Sequence, residues 1–150
     1  MFNNLKTKKN SNPKANLIIM SRWPAAGRCK TRLAKNIGSE NAAGIQNKLI
    51  QHTISVAKEL EEKNLVQIRL AISGISSKAA KRWGEENGLR KVFDQGKGNL
   101  GLRMKRQVLR AQQSQQNKNH ERSTILIGTD LPTLCKLDII KAIEALIKHE

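Results

Sequence analysis

Four short apolar runs alternate in this sequence with longer stretches whose apolar residues recur at helical spacing. That alternation constrains the fold more than any other feature. Leu17 to Met20 is fully apolar and only four residues long, consistent with a buried strand. Val66, Ile68, Leu70 and Ile72 alternate with Gln67, Arg69 and Ala71, which is strand periodicity. Lys91 to Phe93 is a weaker, shorter strand, and Thr124 to Ile127 reads as another buried one. Between them, Ala42, Ile45, Leu49, Thr53, Val56, Ala57 and Leu60 predict a helix from an N-cap at Ser39 to about Lys63. A second helix opens at Ser76 or Ser77 and stops near Asn87-Gly88. Leu100, Met104, Val108 and Ala111 give a third, which fades into the polar stretch 112–121. Leu137, Ile140, Ile143, Leu146 and Ile147 form the stripe of a last one. Strand and helix alternate four times, which predicts a three-layer α/β/α sandwich with a mainly parallel sheet. In such sheets ligands sit beyond the carboxyl ends of the strands.

A length of 150 residues suits one domain with one core. Aromatic residues make up only 3%, so that core is aliphatic. Residues 1–15 are polar, basic and Pro-containing and read as a disordered leader, leaving 16–150 as the domain. No apolar run approaches the ~20 residues of a membrane span. Two cysteines, Cys29 and Cys135, make a disulfide framework improbable, and the chain reads as cytoplasmic.

Two loops follow strand ends and hold unusual chemistry. The first is "RWPAAGRCKTRL", Arg22 to Leu33. Gly27 lets the backbone approach a ligand, Lys30 supplies a cation, and Arg32 adds a fork that grips two phosphate oxygens. The Walker A pattern fails, because Lys30 stands three positions after Gly27 with no earlier glycine at the required spacing. The bland alternative is a basic surface loop turning at Pro24–Gly27. The second loop, "GTDLP", carries Asp130, one of three aspartates. A carboxylate at a strand's mouth can hold a hard cation, Mg²⁺ or Mn²⁺, that bridges to a diphosphate. Alternatively it is a turn or cap aspartate before the last helix. The middle segment "QGKGNLGLRM", Gln95 to Met104, matches no phosphate fingerprint by spacing. An ordinary glycine-rich connection explains it on physics alone. Cys29, Cys135 and the three histidines lack the spacing of a metal site or a nucleophile–base pair. Trp23 and Trp83 read as packing residues.

The net charge is +16, from 28 Lys+Arg against 12 Asp+Glu, and nine of the cations precede the first acid, Glu40. Another basic cluster contains Arg103, Lys105, Arg106 and Arg110. This balance favours anionic partners without choosing among them. No helix-turn-helix, zinc or aromatic RNA-binding signature accompanies it, which argues against nucleic acid.

Taken together, three segments resemble a known family. "RWPAAGRCKTRLAKNIG" is similar to a Lys-x-Pro-x-x-Gly-x-x-Lys-Thr-Arg-Leu signature, "QGKGNLGLRM" to Gln-x-x-Gly-Asp-Leu-Gly-Glu-Arg-Met, and "ILIGTDLPTL" to Gly-Ser/Thr-Asp-x-Pro. These are segments of a bacterial family of glycosyltransferase A-like proteins, DUF2064, some of whose members are labelled arsenosugar-biosynthesis glycosyltransferases. The resemblance runs in order from about Asn16 to about Lys148. It implies a nucleotide-diphospho-sugar transferase fold, of the GT-A, Rossmann-like kind. By the same resemblance Pro24, Gly27, Lys30 and Arg32 would form the nucleotide loop. Gly98, Leu100, Gly101 and Arg103 would line the nucleotide side of the cleft, and Asp130 would stand as the metal-binding aspartate. Arg22, Asn99 and Leu102 depart from the family's Lys, Asp and Glu. The family's later Asp-Gly-Gly-Tyr segment does not occur before Glu150, so the domain is expected to lack its C-terminal part.

The expectation that follows is a metal-dependent glycosyltransferase or nucleotidyltransferase-like enzyme. It would use a nucleotide-diphosphate sugar or a nucleoside triphosphate and an unknown acceptor. Lys30, Arg32 and a cation at Asp130 would neutralise charge as the diphosphate leaves. An inactive remnant of that family and a basic nucleic-acid-binding protein stand as the alternatives.

Overall fold

Successive parallel strands can be joined only by crossovers, and the helices that make them must cover both faces of the sheet. The computed structural model describes residues 12–115 and 121–149 and follows that rule. The strands are β1 (Ala15–Arg22), β2 (Val66–Ser73), β3 (Val92–Asp94) and β4 (Ser123–Ile127). The helices are α1 (Thr31–Ile37), α2 (Ser39–Glu62), α3 (Ser77–Glu86), α4 (Leu100–Gln113) and α5 (Lys136–Lys148). All four strands are parallel, in the order β3-β2-β1-β4. Ile19 stands opposite Leu70 on one side and Ile127 on the other.

Strand alternation sorts the side chains into two cores. Leu17, Ile19, Leu70 and Ile72 pack with residues of α2, α3 and α5, such as Ile50, Ala57, Ala80 and Ile139. Ile18, Met20 and Ala71 pack with Ala111 of α4 on the opposite face. The three-layer sandwich with a parallel sheet is thus the observed fold. The chain runs outward from β1 through β2 to β3, then returns over the α4 face to β4. The order therefore reverses at β1, which makes the carboxyl ends of β1 and β4 the switch point where ligands bind in such sheets.

Several elements differ from the sequence reading for local reasons. The loop after β1 contains a short helix, α1, with no buried residue and hence no apolar stripe to announce it. Gly38, not Ser39, precedes α2. It adopts φ 87° while its N–H bonds Ala34, so one glycine ends α1 and starts α2. The buried face of α2 runs through Ala42, Gln46, Ile50 and Thr53, leaving Ile45 exposed. Thr124–Ile127 is not a buried strand. As an edge strand, β4 is half-buried along its whole length. Leu100 and Met104 of α4 are exposed, as are Leu137, Leu146 and Ile147 of α5, whose buried residues are Ile139 and Ile143. Trp23 and Trp83 pack edge to face at 5.6 Å between centroids, as packing residues do. Both cysteines are free thiols. Among the described residues no helix is long and apolar enough to cross a membrane. Most of the expected leader, and 116–120 of the polar stretch after α4, lie outside the described residues.

Candidate functional site

β1 delivers the chain to the switch point, and Trp23 makes the last sheet-like bond there, its N–H donating to Ser73 O at 2.8 Å. The chain then turns through Gly27, whose φ of 78° suits a residue without Cβ. Lys30 caps the N-terminus of α1 in the left-handed region, at φ 45° and ψ 47°. That conformation costs a non-glycine residue about 1–3 kcal/mol and persists only where its surroundings fix it. Here the side chain is fixed as well. Lys30 Nζ donates to Asp130 Oδ1 at 2.6 Å, across a separation of 100 residues. The lysine side chain is 18% exposed and the aspartate 76%.

Beneath this pair lies a cleft of about 430 Å³. Its floor is polar. Ser21 and Thr129, one from each strand's end and both buried, share a hydrogen bond at 3.2 Å between hydroxyls. Gln46 of α2 donates to Arg22 O at 3.0 Å and stands at the same floor. Gln95, buried after β3, donates from Nε2 to Ser21 O at 2.8 Å and to Ala71 O at 3.0 Å. Its Oε1 accepts from Arg103 Nη1 at 2.9 Å. Gln95 thereby anchors one end of its amide on β1 and β2 and uses the other to aim a guanidinium into the cleft. Asn99 caps α4, accepting from Leu102 N–H at 3.0 Å, so the departure from the family's Asp keeps a helix-capping role.

Of the sequence-predicted residues, Lys30, Leu100, Arg103 and Asp130 line this one cleft. Pro24, Gly27, Arg32, Gly98 and Gly101 do not. Arg32 is exposed on α1, and Gly98, at φ 108°, turns the chain into α4. The sequence reading missed Gln46, Gln95, Ser21 and Thr129. Gln46 could have been found from the gap it leaves in the apolar stripe of α2. The others have only their place at strand ends as a signal. His52 holds α2 to the loop before α5, its Nε2 lying 2.9 Å from Leu134 O.

Cations dominate the wall: Arg22, Lys30 and Arg103 line it with one carboxylate. Among the described residues no three His, Cys, Asp or Glu side chains converge as a metal cluster. Among the described residues the cleft offers a hard divalent cation one carboxylate, Asp130. Such a donor set does not fit a resident ion. A hard cation at Asp130 would have to take its remaining ligands from a bound anion and water.

The sequence profile of DUF2064, described as an uncharacterized protein conserved in bacteria, matches residues 56–150. The chain belongs to the DUF2064 family. The matched residues of this DUF2064 protein run from within α2 through α5 and include Gln95, Arg103 and Asp130. The loop from Arg22 to Leu33 precedes them. Its fold is similar to a solved structure of a candidate nucleotide-diphospho-sugar transferase from Desulfovibrio desulfuricans G20. The TM-score is 0.74 and the sequences are 20% identical. The match covers 89% of this chain and 55% of that one, so this DUF2064 chain spans about half the length of the solved protein. No curated protein matches it.

Proposed function

We propose that the cleft at the ends of β1 and β4 binds the diphosphate of a nucleotide-diphospho-sugar, or of a nucleoside triphosphate. The chain is then a glycosyltransferase or nucleotidyltransferase-like protein of that substrate class. The observation that carries the reading is the Lys30–Asp130 pair, formed by two distant loops at the switch point and facing Arg103 across one cleft. The description of the solved D. desulfuricans protein supports it by analogy of fold.

An incoming diphosphate meets Arg22, Lys30 and Arg103. Arg103 is preset by Gln95, so little ordering cost remains for it on binding. Lys30 exchanges a carboxylate oxygen for a phosphate oxygen, keeping its charge paired. That exchange frees the exposed Asp130 carboxylate for a cation. A divalent cation, when bound there, would supply charge neutralisation to the leaving diphosphate. Lys30 and Arg103 offer the same service from the protein, with donors already in place as negative charge develops. The polar floor of Ser21 and Thr129 leaves room for a hydroxylated ligand.

Calorimetric titration with UDP and Mn²⁺ tests this. Lys30→Ala and Asp130→Ala should each weaken binding by about 10-fold to 100-fold, as expected for a charge-assisted hydrogen bond. Unchanged affinity in both variants overturns the proposal.

A further inference from the structure

A second set of guanidinium groups lies away from the cleft, on the α4 side of the sheet and toward the amino ends of its strands. Arg69 of β2 is only 3% exposed. Its guanidinium carbon stands 4.8 Å from the centre of the Phe93 ring, and that of Arg110 from α4 stands 4.7 Å from the same centre. Arg122, directly before β4, donates to Gln67 Oε1 at 2.8 Å, two residues along β2 from Arg69. The hydrogen bond of Arg69 goes to a neutral hydroxyl, Ser114 Oγ, at 3.4 Å. The ion pairs Lys30–Asp130 and Lys136–Glu59 both lie elsewhere. Burial, and then Arg110 and Arg122, hold the Arg69 guanidinium below its ordinary value.

A buried cation among like charges is costly, and proteins pair such charges with an anion. Here, among the described residues, the guanidiniums have only the Phe93 ring and neutral partners, Ser114, Gln107 and Gln67, and no anion. A second observation points the same way. Asn16 of β1 is fully buried, and neither its Nδ2 nor its Oδ1 has a partner. It stands opposite Gln67 in the parallel register, and strand alternation puts it on the face of Ile18 and Met20, under α4. Gln115 Nε2, just past α4, is buried and unpartnered too. Uncompensated cations and orphaned amide donors thus share one end of one sheet face.

We propose that Arg69, Arg110 and Arg122 form a second anion site that takes a phosphate group, with the Asn16 amide at its base. Guanidinium forks match the oxygens of a phosphate, and an amide donor completes the set. The phosphate can belong to a small phosphorylated molecule or to a nucleic-acid backbone. Arg69 and Arg110 stack on one ring and Arg122 is held at Gln67 on the same strand, a compact site and not a track, which favours the small anion.

Thermal unfolding at constant ionic strength tests the site, with inorganic phosphate and a short single-stranded RNA as separate probes. At about ten times its dissociation constant, phosphate should raise the wild-type Tm by roughly 3–6 °C. The rise should survive Lys30→Ala, which disables the cleft, and vanish when Arg69→Met or Arg110→Met is made in that Lys30→Ala background. Without phosphate, Arg69→Met should unfold no earlier than wild type, because it removes an uncompensated charge. A rise seen with RNA and not with phosphate, lost in the same variants, assigns the phosphate group to a nucleic-acid backbone. No rise with either probe, or a rise kept by both methionine variants, overturns the proposal. Should Arg69→Met not fold, the half-exposed Arg110→Met decides.

Discussion

Lys30 and Asp130 were legible as single residues because each sits in a polar loop just after an apolar run, where a charge has no packing purpose. Their contact was not legible, since nothing in either loop reveals that β1 and β4 are neighbours. Gln95 was hidden for a different reason. A glutamine beside two glycines reads as a turn, yet here it satisfies two backbone carbonyls and one arginine. Gln95→Leu should cost about 1–3 kcal/mol in urea unfolding, since carbonyls buried without donors keep their full desolvation penalty. Nucleotide affinity should fall with it, as Arg103 loses its anchor. Gly84 of α3 shows the same kind of concealment. A Cβ added there would collide with Val92 Cγ2 of β3. Gly84→Ala, stabilising in most helices, should here destabilise by about 1–3 kcal/mol, again by urea unfolding.

Elements were the most readable level. Helical and strand periods located every strand, and all the helices that have a buried stripe. The helix without one, α1, escaped, and the stripe of α2 held except at Ile45, which is exposed because Gln46 takes the buried place beside it. Element ends carry chemistry of their own. At α5 the Asp138 carboxylate accepts from Cys135 N–H at 2.9 Å and from its thiol at 3.3 Å. The backbone bond first, and the thiol second, hold its pKa below the ordinary carboxylate value. A lowered native value means the contribution is complete above the unfolded carboxylate's pKa. It disappears as pH falls through the lower native one. Asp138→Asn should therefore lower Tm at neutral pH, and the gap from wild type should close as pH falls through the lowered native value. Parallel melts across pH read this directly.

At the scale of the molecule, the fold class followed from alternation alone, but the strand order β3-β2-β1-β4 did not. Order depends on which faces the crossover helices take, and Arg69 illustrates why that is hard to read. An arginine in an alternating strand marks a wet face, and here α4 covers it. Ligand binding should report on the whole fold through linkage. UDP with Mn²⁺ at about 100 times the dissociation constant should add about 2.7 kcal/mol to unfolding stability, measurable as a Tm shift. Among the described residues, β4 pairs with β1 alone and β3 is three residues long, whereas β1 and β2 run side by side for eight. Stability is thus concentrated in one seam. Amide hydrogen exchange should be slowest at Ile18, Ile19 and Leu70 and quicken outward on both sides. Since Asp130 hangs from the outer strand and Lys30 from the seam, breathing of that flank would part the two halves of the cleft well before the protein unfolds.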